Sequence, residues 1–125
     1  MIVVALILDV VLTLGFAISG RSSHAEVLDP VGIWGTWWPF LAALAIGWVV
    51  TLAWRRPLDV VRTGIPVWII TVAGGMLLRA ACGQGIAVPF IIVATLVLGL
   101  ALVGWRLIAL LVRTLHARNA RKAKE

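Results

Sequence analysis

Four apolar runs, separated by short polar connections, organise the chain. They cover about residues 2–19, 37–54, 65–82 and 87–107. Each has the ~20 mostly apolar residues that a membrane-crossing helix needs. Pro39, Pro66 and Pro89 fall where the second, third and fourth runs begin. There the missing N–H is one that a helix leaves unpaired anyway. Pro30 and Pro57 fall in the connections, so no proline is expected in the middle of a helix.

Within the runs, small and polar residues recur at i+4. The first shows Ala5, Asp9, Thr13 and Ala17, and the second Ala43, Gly47 and Thr51. The third shows Thr71, Gly75, Arg79 and Gly83, and the fourth Thr95 and Gly99. Residues four apart share a helix face. Membrane helices associate through such small residues, aided by hydroxyl groups. The pattern therefore predicts an all-α, integral membrane four-helix bundle whose small faces meet inside. A short, basic, amphipathic extension follows over about 108–125.

Composition agrees with this class. The 125 residues are 62% hydrophobic and 13% charged, with mean hydropathy +1.10. A soluble domain carries about 45–50% apolar and about 25% charged residues. The length allows one membrane domain and no additional soluble one. The formal net charge of +6 is not spread over a folded face, so no nucleic acid is expected as a partner. Nine of the eleven basic residues lie in the 55–62 connection or from Arg106 onward. With four spans these regions share a side, and the positive-inside rule makes that side cytoplasmic. Both termini are then expected inside the cytoplasmic membrane. Ala17-Ile18-Ser19 is similar to a signal cleavage site. However, no Lys or Arg precedes the first run and Asp9 lies inside it, so an uncleaved span is expected.

Tryptophan supports the same topology. Trp37 and Trp38 are expected as anchors at the outer interface, and Trp54 and Trp105 at the inner one. Trp48 and Trp68 lie deeper, where each indole N–H needs a partner inside the bundle.

Asp9 and Arg79 are the costly residues. A charge at the bilayer centre costs about 2.5–3.5 kcal/mol on insertion scales and usually faces the interior and pairs. Counted from the outer ends, Asp9 lies deeper than Arg79 by roughly 9 Å, at ~1.5 Å per residue. A long arginine side chain would cover much of that gap, so an Asp9–Arg79 pair is expected. Either it ties helices together, or it holds a proton, ion or small polar solute, with Thr13 and Thr71 on the route and Arg21, His24 and Gln84 near its mouth. The glycines of the 83–85 turn suit a short reversal.

Other chemistry has no support. Cys82 is the one cysteine and no second histidine lies near His24, so neither a disulfide nor a metal site is expected. No phosphate loop, nucleophile elbow or paired-histidine motif occurs, so no enzyme and no cofactor are expected. The expected partners are the lipid bilayer, anionic headgroups at the basic tail, and a second copy or a larger membrane complex.

Several short motifs carry a family resemblance. They are Asp9-Val10-Val11, Gly20-Arg21-Ser22-Ser23-His24, Trp38-Pro39-Phe40, Gly47-Trp48 and Trp54-Arg55-Arg56-Pro57. They continue through Arg62-Thr63-Gly64, Trp68, Gly75-Met76-Leu77-Leu78-Arg79, Gly83-Gln84-Gly85 and Gly104-Trp105-Arg106. Together they resemble an uncharacterised, mostly actinobacterial family of small four-span membrane proteins, classed as a domain of unknown function. The resemblance implies the fold and the membrane location and supplies no activity. Two uses remain open: transport or permeation through a polar interior, or a non-transporting accessory subunit of a larger membrane complex.

Overall fold

A computed structural model describes residues 1–23 and 26–124, and of Ser23 the backbone alone. Four α-helices form the chain: α1 (Ile2–Ser23), α2 (Pro30–Thr51), α3 (Ile65–Ala81) and α4 (Val88–Lys124). Among the described residues there is no strand. Each helix packs on the next, and α4 returns to α1, which closes the bundle; α2 and α3 share the most extensive interface. Both described termini and the α2–α3 connection lie at one end, here called the terminal end. The α1–α2 and α3–α4 connections lie at the far end.

The small-residue face of α1 and parts of those of α2 and α3 are buried as the spacing predicts. Ala5, Asp9, Thr13 and Ala17 are all fully buried. Gly47 lies against Val67 and Ile70, and Gly74 against Ala43. At Gly74 a Cβ would stand 2.9 Å from Ala43 Cβ, so the backbones of α2 and α3 approach closely there, while Gly47 would take a Cβ at ordinary contact distance. The outward faces carry exposed Ile7, Val11, Val50, Leu77 and Leu100. Large apolar side chains facing outward on every helix reverse the order of a soluble protein. All four helices are long and apolar enough to cross a membrane, the third when the preceding turn of Val60–Gly64 is included.

Two boundaries differ most from expectation; α1 also runs on to Ser23 and α2 stops at Thr51. First, α2 starts at Pro30, seven residues before the expected start. Asp29 accepts the Gly32 N–H and caps the helix, and Pro30 occupies its first turn. Pro39 is consequently inside the helix, not at its start. Second, α4 runs unbroken for 37 residues, about 55 Å at ~1.5 Å per residue. No glycine or proline interrupts it after Gly104. Its basic end therefore continues along the α4 axis and does not turn to lie along a surface.

The terminal-end connection is compact. Leu52 adopts the left-handed conformation (φ 53°) and closes α2. A 3-10 turn (Ala53–Arg55) follows, and a π-helical turn (Val60–Gly64) leads into α3. Asp59 caps that turn by accepting the Arg62 N–H at 2.8 Å. Thr63 donates its hydroxyl to the Arg56 carbonyl at 2.7 Å. This fold-back carries the Pro57 carbonyl to the side of α4.

Candidate functional site

The buried face of α4 is Ala94, Leu98, Leu102 and Arg106, spaced at i+4. Thr95 and Gly99, the expected face, sit beside it, half-buried. There the Thr95 carbonyl accepts the Trp68 indole N–H at 2.9 Å, and Gly99 lies against the same ring. The shift of one residue puts a guanidinium on the inner stripe.

Arg106 and Asp9 form the buried centre of the molecule. Arg106 Nη2 donates to Asp9 Oδ2 at 2.7 Å and Nη1 to Oδ1 at 3.0 Å. Both side chains are 0% exposed. The parallel pair of bonds is the strong fork geometry of an arginine–carboxylate contact. Trp48 Nε1 donates to Oδ2 and Trp105 Nε1 to Oδ1, each at 2.8 Å. The carboxylate thus accepts four bonds. Arg106 Nε donates to the Pro57 carbonyl at 2.9 Å, and Nη1 also reaches Leu102 O at 2.9 Å. The cluster ties α1, α2, α4 and the α2–α3 connection together. Gly64 makes space for it, since a Cβ there would stand 3.0 Å from Arg106 Cδ.

The expected Asp9–Arg79 pair does not form. Asp9 lies toward the terminal end, level with Trp105 and Arg106, while Arg79 lies at the far end. Arg79 donates from Nε and Nη2 to the Gly85 carbonyl at 3.0 and 2.8 Å, and from Nη1 to Gln84 Oε1 at 2.8 Å. Its guanidinium also stacks on Phe90, 4.3 Å from the ring centroid. The Gln84 amide donates to the Gly35 carbonyl at 3.0 Å. That carbonyl is unclaimed because its partner four residues on would be Pro39, which has no N–H. A proline inside α2 and a glutamine in the α3–α4 turn are thus parts of one arrangement, and it holds Arg79 in place.

The other predicted site residues separate. Thr13 donates to the Val10 carbonyl at 2.8 Å and accepts Trp37 Nε1 at 3.1 Å, so it is a satisfied tie between α1 and α2. Thr71 is fully buried on α3, and its hydroxyl has no hydrogen-bond partner among the described residues. Arg21 meets Glu26 at 2.9 Å, the Val27 carbonyl and Thr36 Oγ1 at the far end. His24 lies outside the described residues. Of the expected interfacial tryptophans, Trp37 and Trp105 aim their N–H groups inward, while Trp38 is half-buried and Trp54 exposed. A cavity of about 350 Å3 opens at the far end between Arg21, Arg79, Phe16 and Phe90. Asp9 does not line it. Among the described residues no His, Cys, Asp and Glu group has the makeup of a metal site.

A family model matches residues 6–109. The chain belongs to the family described as Protein of unknown function (DUF3054). The match spans Asp9, Arg79 and Arg106 and ends before the last turns of α4. No curated protein and no solved structure matches the chain.

Sequence reasoning missed Arg106. Its place beside Trp105 at the end of an apolar run reads as a topology signal. The usable clue was the i+4 continuation from Ala94 through Leu98 and Leu102.

Proposed function

We propose that the chain is a four-span protein of the cytoplasmic membrane that acts as a non-transporting accessory subunit. The observation that carries this reading is the saturation of Asp9. A carrier that worked through Asp9 would need that group to exchange its partners for a solute or a proton. Asp9 has both oxygens occupied by four donors and is fully buried. Permeation of a proton, ion or small polar solute, the other use the sequence suggested, has less support. Thr13 is engaged elsewhere, and the far-end cavity stops short of Asp9. The test uses purified protein in vesicles that report internal pH under imposed proton and potassium gradients. The accessory reading predicts leak equal to that of empty vesicles and of the Asp9→Leu/Arg106→Leu double variant. Gradient collapse that requires Asp9 would overturn it.

Both termini are assigned to the cytoplasm. The terminal end carries Arg55, Arg56, Arg62 and the basic end of α4, and that imbalance favours retention on the inner side. On that side Arg113, Arg118, Arg121, Lys122 and Lys124 form a basic helical arm. It suits anionic headgroups or an acidic surface of a larger assembly. Cys82 reports the sidedness without any substitution, because it is free and exposed at the far end. A membrane-impermeant maleimide is expected to label it in cells with an intact cytoplasmic membrane. Labelling only after permeabilisation would reverse the topology.

A further inference from the structure

We propose that the far-end cavity binds one oxyanion, a carboxylate or a phosphate ester, whose apolar body rests on Phe16 and Phe90. At about 350 Å3 the cavity is within the usual range for small-ligand sites, roughly 300–1,000 Å3. Its floor is aromatic. The Phe16 and Phe90 centroids are 6.2 Å apart, and Phe40 packs edge-on beneath Phe16 at 5.1 Å. Its rim is cationic, and the two arginines there differ in a way that matters.

Arg21 is already matched. Glu26 lies 2.9 Å from its Nη1, and the Val27 carbonyl and Thr36 hydroxyl take further donors. Arg79 meets only neutral acceptors, Gly85 O and Gln84 Oε1. Among the described residues no carboxylate lies within 4.0 Å of it. A guanidinium has five N–H donors in a fixed fork. The bonds to Gly85 and Gln84 leave one N–H on each Nη. Glu26 and Asp29, at 2.9 and 3.9 Å, both face Arg21, so the donors left for a single negative group are those of Arg79.

The fork is also held in place before any ligand arrives. Phe90 supports its face at 4.3 Å, and Gln84 is anchored by the carbonyl that Pro39 leaves free. Little side-chain order remains to be bought on binding, and a preorganised site gains affinity for that reason. The first turn of α4, which borders the cavity, contains no acidic residue. Its helix dipole adds to the same positive field. A purely structural arginine at a helix end would need neither the aromatic floor nor the open volume.

The anion could reach this site as a lipid headgroup or as a free solute. The test separates the two in full-length protein held in phosphatidylcholine nanodiscs. One arm replaces a third of the lipid with phosphatidylglycerol. The other adds hexanoate or inorganic phosphate to the buffer. Thermal unfolding is followed for wild type, Arg79→Gln, Arg79→Lys and Phe90→Leu. At least one probe is expected to raise the wild-type melting temperature by several degrees. Its midpoint concentration should rise tenfold or more in Arg79→Gln and severalfold in Phe90→Leu. A response to phosphatidylglycerol alone identifies a lipid site, and a response to hexanoate or phosphate a solute site. Either supports the proposal. Comparing variants on the same lipid cancels the contribution of the basic arm. If Arg79→Gln fails to fold, Arg79→Lys, which keeps the charge and loses the fork, is expected to weaken the midpoint severalfold. No shift in wild type with any probe, or a shift unchanged in the Arg79 and Phe90 variants, would overturn the proposal. The vesicle leak assay above is independent, so this site can fail while the accessory reading stands.

Discussion

Arg106→Leu lowers the stability of the folded bundle by about 3–5 kcal/mol, the usual cost of removing one partner from a buried ion pair. The substitution strands the Asp9 carboxylate, which is 0% exposed. It also leaves the Pro57 carbonyl without its donor. Trp48 and Trp105 still donate to Asp9, and these two bonds limit the loss without neutralising the charge. Arg106→Lys falls between the two, because an ammonium offers charge without the planar fork. Thermal unfolding in a mild detergent, with protein abundance in membranes as a second readout, measures the series. The expected order is wild type, Arg106→Lys, Arg106→Leu.

Gly75→Val is the second severe change, with an expected loss of about 3 kcal/mol. A Cβ at Gly75 would overlap the Phe40 ring. That ring cannot swing clear, since it is fully buried and packed edge-on against Phe16 at 5.1 Å. Overpacking a tight core typically costs about 1–3 kcal/mol. The branched side chain adds to this, because valine places two further carbons at the contact. Gly75→Ala is milder, since the gain in helix propensity of about 1 kcal/mol offsets part of the clash. Gly15 supplies the control: nothing lies within 4 Å of a Cβ built there. Gly15→Ala is therefore expected to stabilise by up to about 1 kcal/mol. Melting temperatures of the three variants decide whether contact with Phe40, and not loss of glycine as such, sets the cost.

The architecture was legible because helix faces repeat locally. The i+4 series Ala5, Asp9, Thr13, Ala17 required only the helical period, and all four side chains are fully buried. Gly47 and Gly75 of the α2–α3 seam were legible for the same reason, whereas Gly74, which meets Ala43, lies off the predicted stripe. The partner of Asp9 was not. Its bonds to Arg106 join residues 97 apart in sequence, and no local pattern sets such a register. Counting depth from the far ends favoured Arg79. The count from the terminal ends, where α1 begins and Arg106 sits at the end of the α4 stripe, gives the observed pairing. The start of α2 had a readable signal in Asp29-Pro30, a cap followed by a first-turn proline. Gly32 and Gly35, both poor helix formers, obscured it. The role of Gln84 depended on Pro39 being inside a helix, so it could not be read until that boundary was known.

Asp9 and Arg106 act as one static tie, and a double-mutant cycle measures how strongly they are coupled. Unfolding free energies of Asp9→Leu, Arg106→Leu and the double variant are compared with wild type. The double variant is expected to be more stable than Arg106→Leu alone, with a coupling of about 2 kcal/mol or more, because the second change removes the stranded charge. Recovery stays incomplete, since the Trp48 and Trp105 N–H groups lose their acceptor. Losses that simply add would show instead that the two charges are held independently and that no such tie exists.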